Sequence, residues 1–414
     1  MRRCSLTKSV VVLACALAWA HAAAATTYTV TNTNDSGAGS LRAAILSVNG
    51  GAGGDTINFN ITGAGCSGNR CTITLASALD HVTETVTIDG TTQPGSSCGN
   101  LFGGTVPTWN VVIDVNNIVD GGLTIGAASS SVRGLEIENV GGSDDAAAGI
   151  EFVGAADNSI ARCNYLHGNG GGIVMNVNGG FIGGPNPGDG NLATNNIFGL
   201  TVVKSNNTIQ GNFSGVDATG LIAASNSQQG IYVQGGDSNV VMHNLSSANA
   251  GPGILVDSSA TNTALNNNTI GFNINGANPN ADMCNNFSSD GTQIQDNGTG
   301  TTQSGNTVNP NCSGCAIITI TPSSDCDTNC SGFLGPSPAC VDNFFSSLSE
   351  CQTSVNNNCG SGCTCTVFNN APASCAGGCL APATPTPTPA SGIKTPTPYD
   401  DFDSTGGPVS VVQP

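Results

Sequence analysis

A glycine followed by alternating apolar residues recurs six times through the middle of this chain. The copies are Gly122-Leu123-Thr124-Ile125, Gly149-Ile150-Glu151-Phe152, Gly172-Ile173-Val174-Met175, Gly199-Leu200-Thr201-Val202, Gly230-Ile231-Tyr232-Val233 and Gly253-Ile254-Leu255-Val256, starting 27, 23, 27, 31 and 23 residues apart. A unit this short cannot enclose a core by itself. It buries its apolar face only by stacking on the next copy, which makes the chain a solenoid. Alternation at period two makes the stacked element a strand. The same strand of successive rungs then pairs in parallel at about 4.8 Å, so roughly nine rungs give a rod about 40 Å long. Ile150, Ile173, Leu200, Ile231 and Ile254 are the expected inward column.

Asparagine follows the same period. Asn158, Asn207, Asn239 and Asn262 come eight or nine residues after a repeat glycine. Asn212, Asn244 and Asn267 follow five residues later, with Cys163 and then Asn164 at the equivalent place in the other copy. Matched turn asparagines stack into a ladder whose amides bond from rung to rung and to nearby backbone. This reading accounts for much of the asparagine content without a ligand.

Only 9% of residues are charged, against 38% hydrophobic, and 57 of 414 are glycine. A globular domain ordinarily carries about 25% charged residues. Here Asn, Gly, Ser and Thr supply the polar surface and the tight turns. The apolar share is too high for a disordered chain. The net charge is −18. Such a surface repels nucleic-acid phosphates and anionic lipids, and disfavours acidic polysaccharides unless divalent cations bridge the charges.

Arg2, Arg3 and Lys8, the apolar stretch Ser9 to Ala20 and the small-residue run Ala22 to Ala25 read as a secretory signal peptide cut near Ala25. Val12-Leu13-Ala14-Cys15 loosely resembles a lipoprotein box, but the apolar stretch continues past it. Nothing else approaches the roughly 20 apolar residues of a membrane span. The expected location is therefore secreted or cell-surface, where disulfides form. Eleven of the 18 cysteines lie between Cys312 and Cys379, an odd number that needs an outside partner, and Cys284 is nearest. Cys66 and Cys71 are close enough to close a small loop. Cys312-x-x-Cys315 and Cys363-x-Cys365 raise zinc as the alternative, but no histidine follows His243.

Before the repeats, Thr27 to Thr31 alternates like a strand, and Ser40 can cap a helix whose Leu41, Ala44, Ile45 and Val48 share one face. Gly50-Gly51 ends that helix, and Thr56 to Ile61 is again a strand. An open stack end exposes apolar interior and unpaired backbone, and this helix is expected to cover it. The domain boundaries that follow are 1–25 signal peptide, 26–71 strand–helix–strand cap, 72–310 rungs, 311–380 a cysteine-rich disulfide region, and 381–414 a Pro/Thr spacer with a disordered acidic tail.

The run Val30 to Ile45, with Ser40-Leu41-Arg42-Ala43-Ala44-Ile45 at its centre, resembles the CSLREA-type domain that opens many exported bacterial β-helix proteins; Ala43 stands where that motif usually has Glu or Gln. Val86 to Gly95 and Val132 to Ile137 are similar to the segments that follow it. The resemblance spans about Thr27 to Pro310. It implies an all-β, right-handed parallel β-helix of the pectin-lyase-like type with a short N-terminal capping helix, and no set activity. The cysteine-rich region lies outside it.

A shared fold decides no activity. Lyases of this architecture pair calcium-binding acids with a basic residue, and Arg162 with Asp157 and His167 is the best such cluster within the rungs, suited to proton abstraction beside a carboxylate. Hydrolysis needs converging carboxylates; Asp217, Asp237 and Asp257 are 20 residues apart but sit at different places relative to their strands. Asp144, Asp145 and Asp189 fall in loops and are the weak calcium candidates; no other cofactor is expected. Gly183 to Gly188 is glycine-rich but holds two prolines and precedes no helix, so it is not a phosphate loop. The leading expectation is a binding or adhesion module for extracellular glycans or surface components. A polysaccharide lyase or hydrolase and a structural envelope component are the alternatives. The sequence leaves the ligand and the oligomeric state open.

Overall fold

The structure is a computed structural model. It describes residues 25–144, 146–277, 283–286 and 291–312, together with the strands Ile317–Thr321 and Thr364–Phe368. The signal segment, most of the cysteine-rich region, the spacer and the tail lie outside the described residues.

The chain winds as a coil of three parallel sheets. The first holds ten strands, from Thr27–Val30 to Thr302–Ser304. The second holds seven, from Leu123–Ala127 to Ile294–Asp296. The third holds ten, from Cys66–Ser67 to Thr307–Val308. Hydrogen-bonded neighbours follow chain order in each sheet, and the Cys66–Ser67 hairpin is the one antiparallel pairing in the three. One turn runs from Ala148–Ala155 in the second sheet to Ile160–Arg162 in the first and Tyr165–His167 in the third, then back to Gly171–Met175.

All six glycine-led repeats fall in the second sheet, in register. Leu123, Ile150, Ile173, Leu200, Ile231 and Ile254 stand opposite one another and are essentially inaccessible to solvent. The leading glycine is a steric requirement. A Cβ on Gly122 would lie 1.8 Å from the Ala148 carbonyl oxygen, and one on Gly199 would lie 2.2 Å from that of Gly230. Side chains at this column would push adjacent rungs apart.

Three ladders run along the three corners. At the corner from the first sheet to the third, the amide N–H of each member donates to the side-chain oxygen of the next through Asn164, Asn191, Asn212, Asn244, Asn268 and Asn306, at 2.9–3.1 Å. A second ladder links Asn169, Asn196, Asn226, Asn249 and Asn285 and ends on Gln293. At the third corner Ser130 and Ser159 occupy the early rungs, and Asn207 and Asn239 the later ones. The expected membership needs correction by one residue at several places. Asn158, Asn262 and Asn267 are not the ladder residues; Ser159, Thr263 and Asn268 follow them on the buried side, and Asn164 rather than Cys163 is the ladder residue in its rung. The displaced residues have positive φ, at 60° for Asn158, 51° for Asn262, 54° for Asn267 and 56° for Cys163. Each corner therefore needs two residues: one that tolerates left-handed backbone and one that points inward to bond. Asparagine suits both, so spacing alone does not separate them.

The helix Leu41–Asn49 forms as expected. The Ala43 N–H donates to the Ser40 hydroxyl, and Leu41, Ala44, Ile45 and Val48 are buried in the same apolar cluster as Ile57 and Val82. Arg42 fixes it in place, bonding the Asp35 carboxylate and the carbonyls of Ser77 and Ala78 at 2.6–2.7 Å. The Thr91-Thr92-Gln93 stretch also serves the cap. The Thr92 hydroxyl accepts from Phe59 N–H, and the Gln93 amide bonds both backbone groups of Ile61. Residues 30–45 and 91–93 thus close the end of the coil.

Cys66 pairs with Cys71, and Cys284 with Cys312, as the cysteine spacing suggests. A third bridge joins Cys98 to Cys163, 65 residues apart. It pins the loop between the strands Val86–Asp89 and Val111–Asp114 against the coil.

Candidate functional site

The third sheet turns a charged and aromatic face outward. Because side chains alternate along a strand, residues two apart share a face, and parallel pairing stacks that face across rungs. The register places Val112, Glu136, Tyr165 and Leu192 in one outward column. Thr74, Asp114, Glu138, His167 and Thr194 form the next. Further along, this exterior is covered: Leu192, Phe213 and Leu245 pack with Leu101, Trp109 and Val216 in an apolar cluster separate from the core. Glu136, Glu138 and His167 lie just before that cover.

The loop bearing Trp109 shapes the boundary. Its disulfide at Cys98 holds one end, and the Trp109 indole N–H donates to the Cys163 carbonyl at 2.6 Å. Trp109 then lies 5.1 Å from the Tyr165 ring, and Tyr165 4.4 Å from the His167 ring, centre to centre. Arg70 donates to the Trp109 carbonyl and to both carboxylate oxygens of Glu136, with 2.9 Å for the second of these. His167 Nε2 sits 3.0 Å from Glu136 Oε1 and 3.3 Å from Glu138 Oε2.

The two glutamates are driven apart electrostatically. Burial pushes the Glu136 carboxyl up, but the hydrogen bonds from Arg70 and His167 outweigh it and hold the group below its ordinary range. Burial pushes Glu138 up as well. His167 opposes this, but with the Glu136 and Asp114 charges beside it the group stays raised. Tyr165 is raised by burial and by the same two glutamates. The site thus holds a carboxyl lowered from its ordinary range, an imidazole and a carboxyl raised above it, the imidazole within 3.3 Å of both.

Of the sequence candidates, only His167 belongs to this constellation. Arg162 ends a first-sheet strand and faces Asp189 at 3.7 Å, which binds a residue picked for calcium to a cation instead. Asp157 lies in the turn before that strand and accepts from the Asn178 backbone and side chain. The corner at Cys163-Asn164 separates Arg162 from His167, so proximity in sequence becomes two different sheets. Asp144 accepts from Ala147 N–H in an exposed turn, and Asp145 lies outside the described residues. Asp217 and Asp257 each hold a turn, Asp217 accepting from Leu221 and Ile222 and Asp257 from Ser259, while Asp237 accepts from Thr261 and Asn262 of the next rung. Sequence reasoning missed Arg70, Glu136, Glu138 and Tyr165. Glu136-Ile137-Glu138 and Tyr165-Leu166-His167 alternate as strands do, but nothing local gives the register that brings them together.

The chain is thus a parallel β-helix with a polar, aromatic-edged strip on one face. No protein family matches its sequence, and no curated protein does. Among solved structures it is similar to the periplasmic alginate epimerase AlgG, at 14% identity over 62% of this chain and 70% of that one, with a TM-score of 0.31. It is also similar to the A-modules of two Azotobacter vinelandii mannuronan C-5 epimerases. For AlgE6 the identity is 15% over 67% and 75% of the two chains, with a TM-score of 0.35. For AlgE4 it is 13% over 67% and 97%, with a TM-score of 0.28. The parallel coil is established by this chain's own strand pairing.

Proposed function

We propose that this protein is an exported β-helix that binds an uncharged glycan along the exterior of its third sheet. One observation carries the reading: the Trp109–Tyr165–His167 aromatic row is bordered by Arg70, Glu138 and Asp114 on adjacent rungs of one face. A sugar ring presents C–H faces that suit an aromatic edge and a rim of hydroxyls that suit charged hydrogen-bonding groups. The acidic surface favours a neutral polymer over a polyanion. The three disulfides fit an exported protein.

The test is retention on a panel of neutral and acidic polysaccharides, with dissociation constants for the positive members. Tyr165→Ala should weaken binding at least about tenfold, which is about 1.4 kcal/mol. Retention by no polysaccharide would leave a structural envelope role, and equal affinity in Tyr165→Ala would overturn the strip as the binding site. A second reading, a polysaccharide hydrolase or lyase, is favoured by His167 lying between a carboxylate held ionised and one held toward protonation. New reducing ends or unsaturated products that vanish in Glu138→Gln would establish it.

A further inference from the structure

Glu136, Glu138 and His167 also meet the geometric demands of a metal centre. Glu138 and His167 are direct neighbours across parallel strands, and Glu136 lies two residues before Glu138 on the same face. Their ligand atoms all fall within 4.8 Å of one another. The imidazole nitrogen stands 3.0 Å and 3.3 Å from one oxygen of each glutamate. Ligands about 2.0–2.2 Å from a tetrahedral ion are separated from each other by about 3.3 Å, so the imidazole nitrogen already stands at that spacing from each glutamate.

The hydrogen bonding points the same way. His167 Nε2 carries at most one proton but faces two carboxylates. Among the described residues, Glu138 has no other hydrogen-bond donor, whereas Asp114 is bonded by Asn116 and Asn139. Three carboxylates, those of Asp114, Glu136 and Glu138, stand on this face, and the guanidinium of Arg70 is bonded to that of Glu136 alone. A cation between the glutamates and the histidine relieves that repulsion. Arg70 does not block it: each carboxylate oxygen has two lone pairs, and the Arg70 side chain is 48% exposed.

We propose that Glu136, Glu138 and His167 bind one divalent first-row transition-metal ion, with zinc the best match. One imidazole and two carboxylates suit zinc or manganese, while calcium requires six to eight oxygens. Three protein ligands leave the ion's remaining position open toward the exterior strip, as in metal sites that engage a ligand. The proposal stands whether or not that strip binds a glycan.

The test is titration of zinc into untagged, chelator-treated protein by calorimetry, without polysaccharide, followed by cobalt substitution. The expected result is one ion per chain and a visible cobalt absorption band of low-symmetry, four- or five-coordinate type. Glu138→Gln and His167→Gln should each weaken zinc binding by more than about tenfold. His81→Ala and His243→Ala should leave it unchanged. Circular dichroism matching the parent shows that each variant has folded, and Glu138→Gln is the milder change if His167→Gln has not. No uptake, or uptake unaffected by either glutamine variant, overturns the proposal.

Discussion

Asn212 is the most informative place to test what holds the rungs together. Its side-chain oxygen accepts from both the backbone N–H and the amide of Asn191, each at 2.9 Å. Its own amide donates to the carbonyls of Ile182 and Gln210 and to the side chain of Asn244. Replacing it with alanine leaves the Asn191 N–H without an acceptor and takes a donor from the Ile182 carbonyl. The Asn191 amide keeps the Ala161 carbonyl. Two buried groups orphaned at about 1–3 kcal/mol each predict a loss of about 3 kcal/mol, after some relaxation. For a coil of this size that is a fall of about 5 °C in melting temperature. Asn158→Gly is the matched control: Asn158 is exposed, its φ of 60° suits glycine, and the change should stay within about 0.5 kcal/mol. Guanidinium unfolding followed by circular dichroism measures both. The ladder account fails if Asn212→Ala costs no more than Asn158→Gly.

Two further outcomes test other parts of the fold. Cys98→Ser frees the loop that positions Trp109, the one tryptophan after residue 25, so its emission should shift to the red and stability should fall by about 3 kcal/mol; unchanged emission would show that the indole bond to Cys163 holds the loop alone. Burial raises Asp35, but the hydrogen bonds from Arg42 and Ala76 outweigh it and leave the carboxyl below its ordinary value. A carboxylate lowered by folding stabilises above its unfolded value, and that contribution disappears as pH falls below about 4. The stability gap between the parent and Arg42→Met should therefore narrow between pH 5 and about pH 3; a constant gap would mean that Arg42 acts only through the Ser77 and Ala78 carbonyls.

Repetition made the architecture readable. The Gly122 to Val256 repeats state their own period, and the glycine at the head of each has no room for a side chain, so pattern and packing agree. The capping helix was equally plain, because Ser40 and the Leu41, Ala44, Ile45 and Val48 face are local signals. The site was much less legible. His167 was singled out, but grouped with Asp157 and Arg162, which the chain corners carry to other faces. Nothing local marks Glu136, which only the register sets beside Arg70, 66 residues earlier, and against His167, 31 residues later.

By itself, then, the sequence determined the winding: local period, turn-forming residues and cap chemistry act over a few positions, and every rung repeats the same instructions. Tertiary structure alone decided which exterior side chains meet. That depends on the number of residues in each corner and excursion, and one residue more or less moves a side chain from one face to the other. Only the closed coil, with the Trp109 loop tied down at Cys163, brings Arg70, Glu136, Glu138, Tyr165 and His167 to one place.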